Sequence, residues 1–177
     1  MSEPEPSTPR PRPSRWRRWR RWLLELALIA LVLVGIQWWQ TRGAPSGPAP
    51  ALAGQLLDGS TMNLALERGR PVLVHFWAEW CPICRLEQGS IQSLSADYRV
   101  ISVATTSGDA AEVRAYMVQE GLSFPTLVDE AGDVGRDWGV KGVPASFVID
   151  ADGQVAHVSV GYTTELGLRL RLWLAGR

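Results

Sequence analysis

The stretch V-L-V-H-F-W-A-E-W-C-P-I-C-R, Val72 to Arg85, decides the fold. Its first half, Val72 to Trp77, is short, rich in β-formers and almost wholly apolar, the pattern of a strand covered on both faces. Pro82 fits the first turn of a helix, where its missing N–H has no partner to lose. A buried strand therefore runs directly into a helix that begins at Cys81. There the sulfur meets unsatisfied backbone N–H groups and the positive end of the helix dipole, which favour thiolate over thiol. Two intervening residues place Cys84 one turn later, within reach of Cys81, where it can resolve a mixed disulfide. The chain has 2 cysteines. No thiol is left for a separate structural disulfide, so the pair is catalytic, metal-binding or inert.

The helix register adds a carboxylate. At about 100° per residue, Ile83, Glu87, Ile91, Leu94 and Tyr98 share a stripe with Cys84. Glu87 then lies on the core-facing side, where burial raises a carboxyl pKa, which would let it exchange protons with Cys84. The alternative is a stripe-edge Glu87 that reaches water. Further strands are expected over Val100 to Thr105, Thr126 to Val128, Ala145 to Ile149 and Gln154 to Val160, the last two joined by a tight Asp-Ala-Asp-Gly turn. A hairpin is expected through Asp58-Gly59. Asp109 with Glu112 reads as a capping box for a helix closed by Gly121. A final amphipathic run from about Thr164 carries Leu166, Leu170, Trp173 and Leu174 on one stripe. Strands alternating with helices predict an α/β fold, and the two closing strands an antiparallel edge on a mixed sheet.

The formal net charge of +0 hides an asymmetry, because eight of the 18 basic residues precede Gly43 and fifteen of the 18 acids follow it. The folded part offers no basic face for nucleic acid. Residues 1–21 read as a disordered, basic, cytoplasmic tail, with its arginines at Arg10, Arg12, Arg15, Arg17, Arg18, Arg20 and Arg21. Residues 22–40 are apolar but for Glu25 and long enough, at roughly 1.5 Å per residue, for a transmembrane anchor with tryptophans at both interfaces. The positive-inside rule places everything beyond residue 40 across a bacterial inner membrane, in the periplasm. A cleaved leader ending at Ala51 to Ala53 is the weaker reading, since that site lies far from the apolar run. Residues 41–53 form a Pro/Gly/Ala tether, and the folded domain spans 54–177.

W-A-E-W-C-x-x-C followed by Arg85, with C-x-x-C-R-x-E and the later G-V-K-G-V-P-A-S-F-V-I-D-A-D-G, Gly139 to Gly153, resembles the membrane-anchored TlpA, DsbE and ScsD branch of the thioredoxin superfamily. The resemblance covers Gly54 to nearly Arg177. It implies a thioredoxin fold, a central mixed sheet flanked by helices with an extra N-terminal β-hairpin. It also implies Cys81 as attacking thiol, Cys84 as resolving thiol and Pro144 as a cis-proline facing them. In such a loop the Val143 backbone pairs with an extended substrate, with Trp80 as an apolar wall or a partly buried core aromatic, and Pro82 and Ile83 beside the sulfurs. Protein disulfides are the implied substrates, apocytochrome c or copper-stressed envelope proteins among them. An integral membrane protein is the implied electron donor, and the Cys81–Cys84 disulfide serves in place of a cofactor.

The sequence departs from the family at three places. His75 stands where thioredoxins usually carry a buried Asp; a core histidine bonded to backbone is the favoured reading, a proton relay the sharper one. Gly89 occupies a position where this branch often has Pro. Pro82-Ile83 replaces the thioredoxin Gly-Pro, and that dipeptide tunes reduction potential. The resemblance favours a reductase, with an oxidase of the same fold as the alternative. A copper carrier using the cysteine pair is a further alternative, but no metal site is expected, because His75 and His157 are the sole histidines and a second close-spaced ligand pair is lacking. Covalent haem attachment needs His at the Arg85 position.

Overall fold

The computed structural model describes residues 15–41 and 45–177, and contacts divide the chain into one unit ending at Trp39 and a second from Gln40 to Arg177. Among its described residues the first unit is helical, and that helix, α1, runs over Arg15–Thr41. The expected disorder of 1–14 lies outside the described residues. Over 15–21 the expectation fails: the arginines and tryptophans continue one helix into the apolar run, with no proline between Arg15 and Thr41 to stop it. Among the described residues no helix is long and apolar enough to cross a membrane. The run 22–40 is thus helical, while a membrane span is not part of the architecture shown.

The second unit begins earlier than the sequence suggested. Gly47–Pro48 is already a strand, β1, and Leu52 is buried, so much of the expected tether 41–53 belongs to the fold. Next comes the hairpin of β2, Ala53–Gln55, and β3, Thr61–Asn63. Its turn is closed by Leu56 accepting from the Gly59 N–H at 2.9 Å, and Gly59 takes a φ of +87° that a side chain would resist. The remaining elements are β4 (Val72–Trp77), α2 (Pro82–Asp97), β5 (Arg99–Thr105), α3 (Ala110–Gln119), β6 (Thr126–Asp129), α4 (Asp133–Asp137), β7 (Ala145–Ile149), β8 (Gln154–Val160) and α5 (Glu165–Ala175).

The main sheet has the order β1-β8-β7-β4-β5-β6. Strands β4, β5 and β6 are parallel, while β7 and β8 run antiparallel beside β4. This is the mixed sheet of a thioredoxin fold. Every residue of β4 is buried. Leu73 and Trp77 face a layer with Ile91 and Leu94 of α2 and Leu168 and Leu172 of α5. Val72, Val74 and Phe76 face the other layer, where Phe76, Phe147 and Trp138 meet as an aromatic trio with centroids 5.1–5.6 Å apart. Burying each such side chain contributes about 1.5–3 kcal/mol, and the two layers clamp the strand that delivers Cys81.

Two stripe readings are corrected. Ile83 is 45% exposed, because the buried side of α2 centres on Cys84, Glu87, Gln88, Ile91 and Leu94. On α5 the buried residues are Leu168 and Leu172, while Leu166, Leu170, Trp173 and Leu174 face outward. This helix is apolar on both sides, so periodicity alone selected the wrong one.

Candidate active site

The site is built where β4 ends. Ala78, Glu79 and Trp80 make the turn, and Cys81 caps α2 with extended backbone, φ −90° and ψ 110°. Its sulfur accepts the Cys84 N–H at 3.2 Å and lies 3.6 Å from the Val143 carbonyl. Pro82 sits in the first turn as expected. Both thiols are free, and Cys84 is wholly buried, Cys81 4% exposed. A small opening at Cys81 and none at Cys84 gives the two sulfurs different access to an incoming disulfide. Burial pushes the Cys84 thiol far up, reinforced by its hydrogen bond with Cys81 and by the nearby Glu87 charge.

The peptide between Val143 and Pro144 is cis. It sets the Val143 carbonyl against Cys81, and the Pro144 carbonyl accepts the Gly161 N–H at 2.8 Å. The same β8–α5 loop reaches Glu87, whose Oε1 accepts the Thr163 N–H. Glu87 Oε2 is buried with no hydrogen-bond partner among the described residues. Burial therefore dominates and raises the Glu87 carboxyl to about 7, with the Thr163 N–H pulling it down. One turn apart on α2, Glu87 and Cys84 are neighbours in space, and a charge on Glu87 disfavours ionisation of Cys84.

Trp80 is 60% exposed rather than a core aromatic, and its Nε1 donates to the Thr106 carbonyl at 3.0 Å. Thr106 takes a φ of +49°, unusual for a β-branched residue, and this turns its carbonyl toward the indole. Ser107 holds the same turn by accepting the Glu79 N–H at 3.2 Å. Neither Thr106 nor Thr163 stood out in the sequence, because both act through backbone groups that leave no mark on residue type.

His75 lies in the row beneath, with Nδ1 2.9 Å from the Ser146 hydroxyl, and burial lowers its pKa to about 3. It is a neutral core histidine whose partner is a side chain on β7, where backbone had been expected. The row extends through the sheet, because Ser159 pairs with Ser146, Ser146 and Ser102 flank His75, and Ser102 pairs with Thr126. His157, the other histidine, is exposed on β8. Among the described residues no group of three or more His, Cys, Asp or Glu side chains could hold a metal ion.

The arrangement can form a bridge between Cys81 and Cys84, present Cys81 beside an exposed indole and a backbone carbonyl, and hold a proton at Glu87. Comparison with known proteins agrees. The family model described as Redoxin matches residues 44–167. A thioredoxin-like protein of Haemophilus influenzae is 35% identical over 123 residues, covering 68% of this chain and 73% of its own. The thiol:disulfide interchange protein DsbE of Allochromatium vinosum is 34% identical over 142 residues, covering 75% of this chain and 77% of its own. Among solved structures, a thiol:disulfide interchange protein of the thioredoxin family from Chlorobium tepidum aligns with a TM-score of 0.66 at 28% identity, over 76% of this chain and 99% of that one.

Proposed function

The chain belongs to the redoxin family, and from that premise we propose that it is a protein thiol:disulfide oxidoreductase working in the reducing direction. Cys81, as thiolate, attacks a substrate disulfide; that bond breaks, one substrate sulfur leaves, and a mixed disulfide forms at Cys81. Cys84 then attacks Cys81, its proton passing to Glu87, and the substrate departs as a dithiol while Cys81 and Cys84 keep the bridge. Two electrons from a donor, proposed to be an integral membrane protein, restore the dithiol. The observation that carries this reading is the Cys81 sulfur at the head of α2, receiving the Cys84 N–H and facing Val143.

Glu87 supports the second step by geometry and by its raised pKa, since a carboxylate that titrates near neutrality can take and return a proton. Trp80, Pro82, Ile83 and Val143 are the proposed substrate contacts, all at least partly exposed around Cys81. Pro144 shapes the loop that carries Val143. His75 is proposed as a structural residue, held by Ser146. No cofactor beyond the redox-active pair enters the scheme.

The proposed setting is the periplasmic face of a bacterial inner membrane, with α1 as a tether. The leucines, isoleucines and valines of α1 whose side chains are described are all exposed, from 49% at Ile36 to 70% at Leu31. The arginine-rich start of α1 supports a cytoplasmic N-terminus. Proteins of the envelope that must stay reduced are the proposed substrates.

A Cys84→Ser variant expressed in cells is the test. It should accumulate mixed disulfides with envelope proteins at Cys81, and the reduction potential of the unaltered protein should lie below that of its compartment. A potential above it would reverse the direction, and an absence of mixed disulfides would remove the enzymatic reading.

A further inference from the structure

The end of the folded unit opposite Cys81 carries a surface that the catalytic scheme leaves unused. Strand register locates it. Arg99, Val72, Ile149, Val155 and Gly47 form one row across β5, β4, β7, β8 and β1. Trp77 lies five residues further along β4, about 17 Å away at roughly 3.3 Å per residue, with Cys81 beyond it. The chain thus enters the sheet, through β1, at the pole remote from the sulfurs. The last turn of α5 reaches the same pole, where Gly176 packs on Pro71.

Three properties converge there. The outer face of α5 is apolar, with Leu170 54%, Trp173 47% and Leu174 48% exposed, and Leu66 beside Glu67 is 81% exposed. Arginines gather at the pole: Arg70 and Arg99 share Glu67, and Arg169 pairs with Asp97. Arg68 and Arg177 have no ion-pair partner among the described residues, and Arg177 covers the Trp173 ring at 3.6 Å, while the Nη1 of Arg171 is buried. The catalytic pole is the more acidic, with Glu79, Asp109, Glu130 and an Asp133 paired to Arg136 following the ends of the strands there, although the β7–β8 turn brings Asp150 and Asp152 to the arginine-bearing pole. Leucine and tryptophan on one face of a helix with arginines beside them is the composition of a helix lying in a lipid interface, and the acidic pole opposes the reverse orientation.

We propose that this pole and the outer face of α5 rest on an anionic lipid surface, with Leu170, Trp173 and Leu174 among the headgroups and Cys81 turned to the aqueous side. The inference builds on the tether proposed above, but the docking surface belongs to the folded unit itself. One consequence is that substrate and electron donor both meet Cys81 from the aqueous side, so a membrane donor must present its thiols well clear of the bilayer.

The full chain, carrying Cys81→Ser, Cys84→Ser and a fluorophore on Leu170→Cys, is placed in nanodiscs with and without phosphatidylglycerol, each containing spin-labelled lipid. Quenching at position 170 should be several-fold stronger with phosphatidylglycerol, weaken in high salt, and fall to the level of a label at Asp133→Cys when Trp173→Glu is added. In the unlabelled chain with both cysteines, Trp173→Glu should leave disulfide reduction unchanged, which also shows that the variant folds. A nanodisc-bound chain with an unquenched label overturns the docking and leaves the tether intact. A chain that does not join nanodiscs overturns the tether; the docking then stands only if that protein floats with phosphatidylglycerol vesicles at low salt, and falls if it does not. Concentration-dependent shielding of the label without lipid would assign the face to a second copy and also overturn the proposal.

Discussion

Among single residues, two buried titratable groups respond to pH with opposite signs. Glu87 is raised from 4.5 to about 7, so between those values the folded protein holds a proton that the unfolded chain has released. Stability therefore falls as pH rises through that window, by roughly 3 kcal/mol at most if each pH unit crossed is worth about 1.36 kcal/mol. Glu87→Gln should abolish this slope in denaturant titrations across pH and make thiol exchange less dependent on pH near neutrality. An unchanged exchange profile would remove Glu87 from proton transfer. His75 is lowered from 6.5 to about 3, so stability is complete above 6.5 and is lost as pH falls toward 3. His75→Asn should flatten that acid limb in the same titrations while leaving thiolate formation, followed by ultraviolet absorbance, unshifted; a shifted thiolate titration would make His75 a relay. Cys81, Cys84 and Glu87 were legible in the sequence because residue type and helix register together carried the signal. The groups that meet Cys81 and Glu87, the carbonyl of Val143 and the N–H of Thr163, and the Thr106 carbonyl that holds Trp80, are main-chain groups brought close only by the fold.

Among the helices and strands, local signals with a specific chemistry translated well. The Asp109 carboxylate accepts from the Ala111 and Glu112 N–H groups, and the Glu112 side chain reaches back to the Asp109 N–H. Asp109→Ala should cost about 1 kcal/mol in thermal or chemical unfolding. The stripe on α5 translated poorly. A helix with leucines on both faces has no unique buried side until the sheet is in place, and here Leu168 and Leu172 meet Ile91 and Leu94 while the other stripe remains outside. Leu168→Ala should cost about 2–5 kcal/mol and Leu166→Ala less than about 0.5 kcal/mol. Equal costs would return the helix to the orientation read from periodicity.

Across the folded chain, the α/β class and the mixed sheet were readable because an almost wholly apolar β4 is tolerated only between two covering layers. Where the folded unit begins was not readable. Gly47 to Leu52 looks like tether by composition, yet Gly47 and Pro48 pair with Val155 and Gln154, and Leu52 is 3% exposed. Composition reports flexibility of the free chain and is blind to a sheet edge that captures it. A fragment of residues 45–177 should therefore exceed one of 54–177 in unfolding free energy by at least the burial of Leu52, about 1.5–3 kcal/mol, with both fragments still reducing disulfides. Fragments of equal stability would make 45–53 a passive linker after all.

The proposed chemistry requires the sulfurs at the head of α2 to form one reversible two-electron couple. Alkylation-resolved mass spectrometry of the full chain, equilibrated across a series of dithiothreitol buffers, reads this directly. A single transition is expected between a doubly alkylated dithiol and an unalkylated, internally bridged form, abolished by either Cys81→Ser or Cys84→Ser. Two thiols that remain alkylatable in every buffer, or that bridge only between chains, would contradict it.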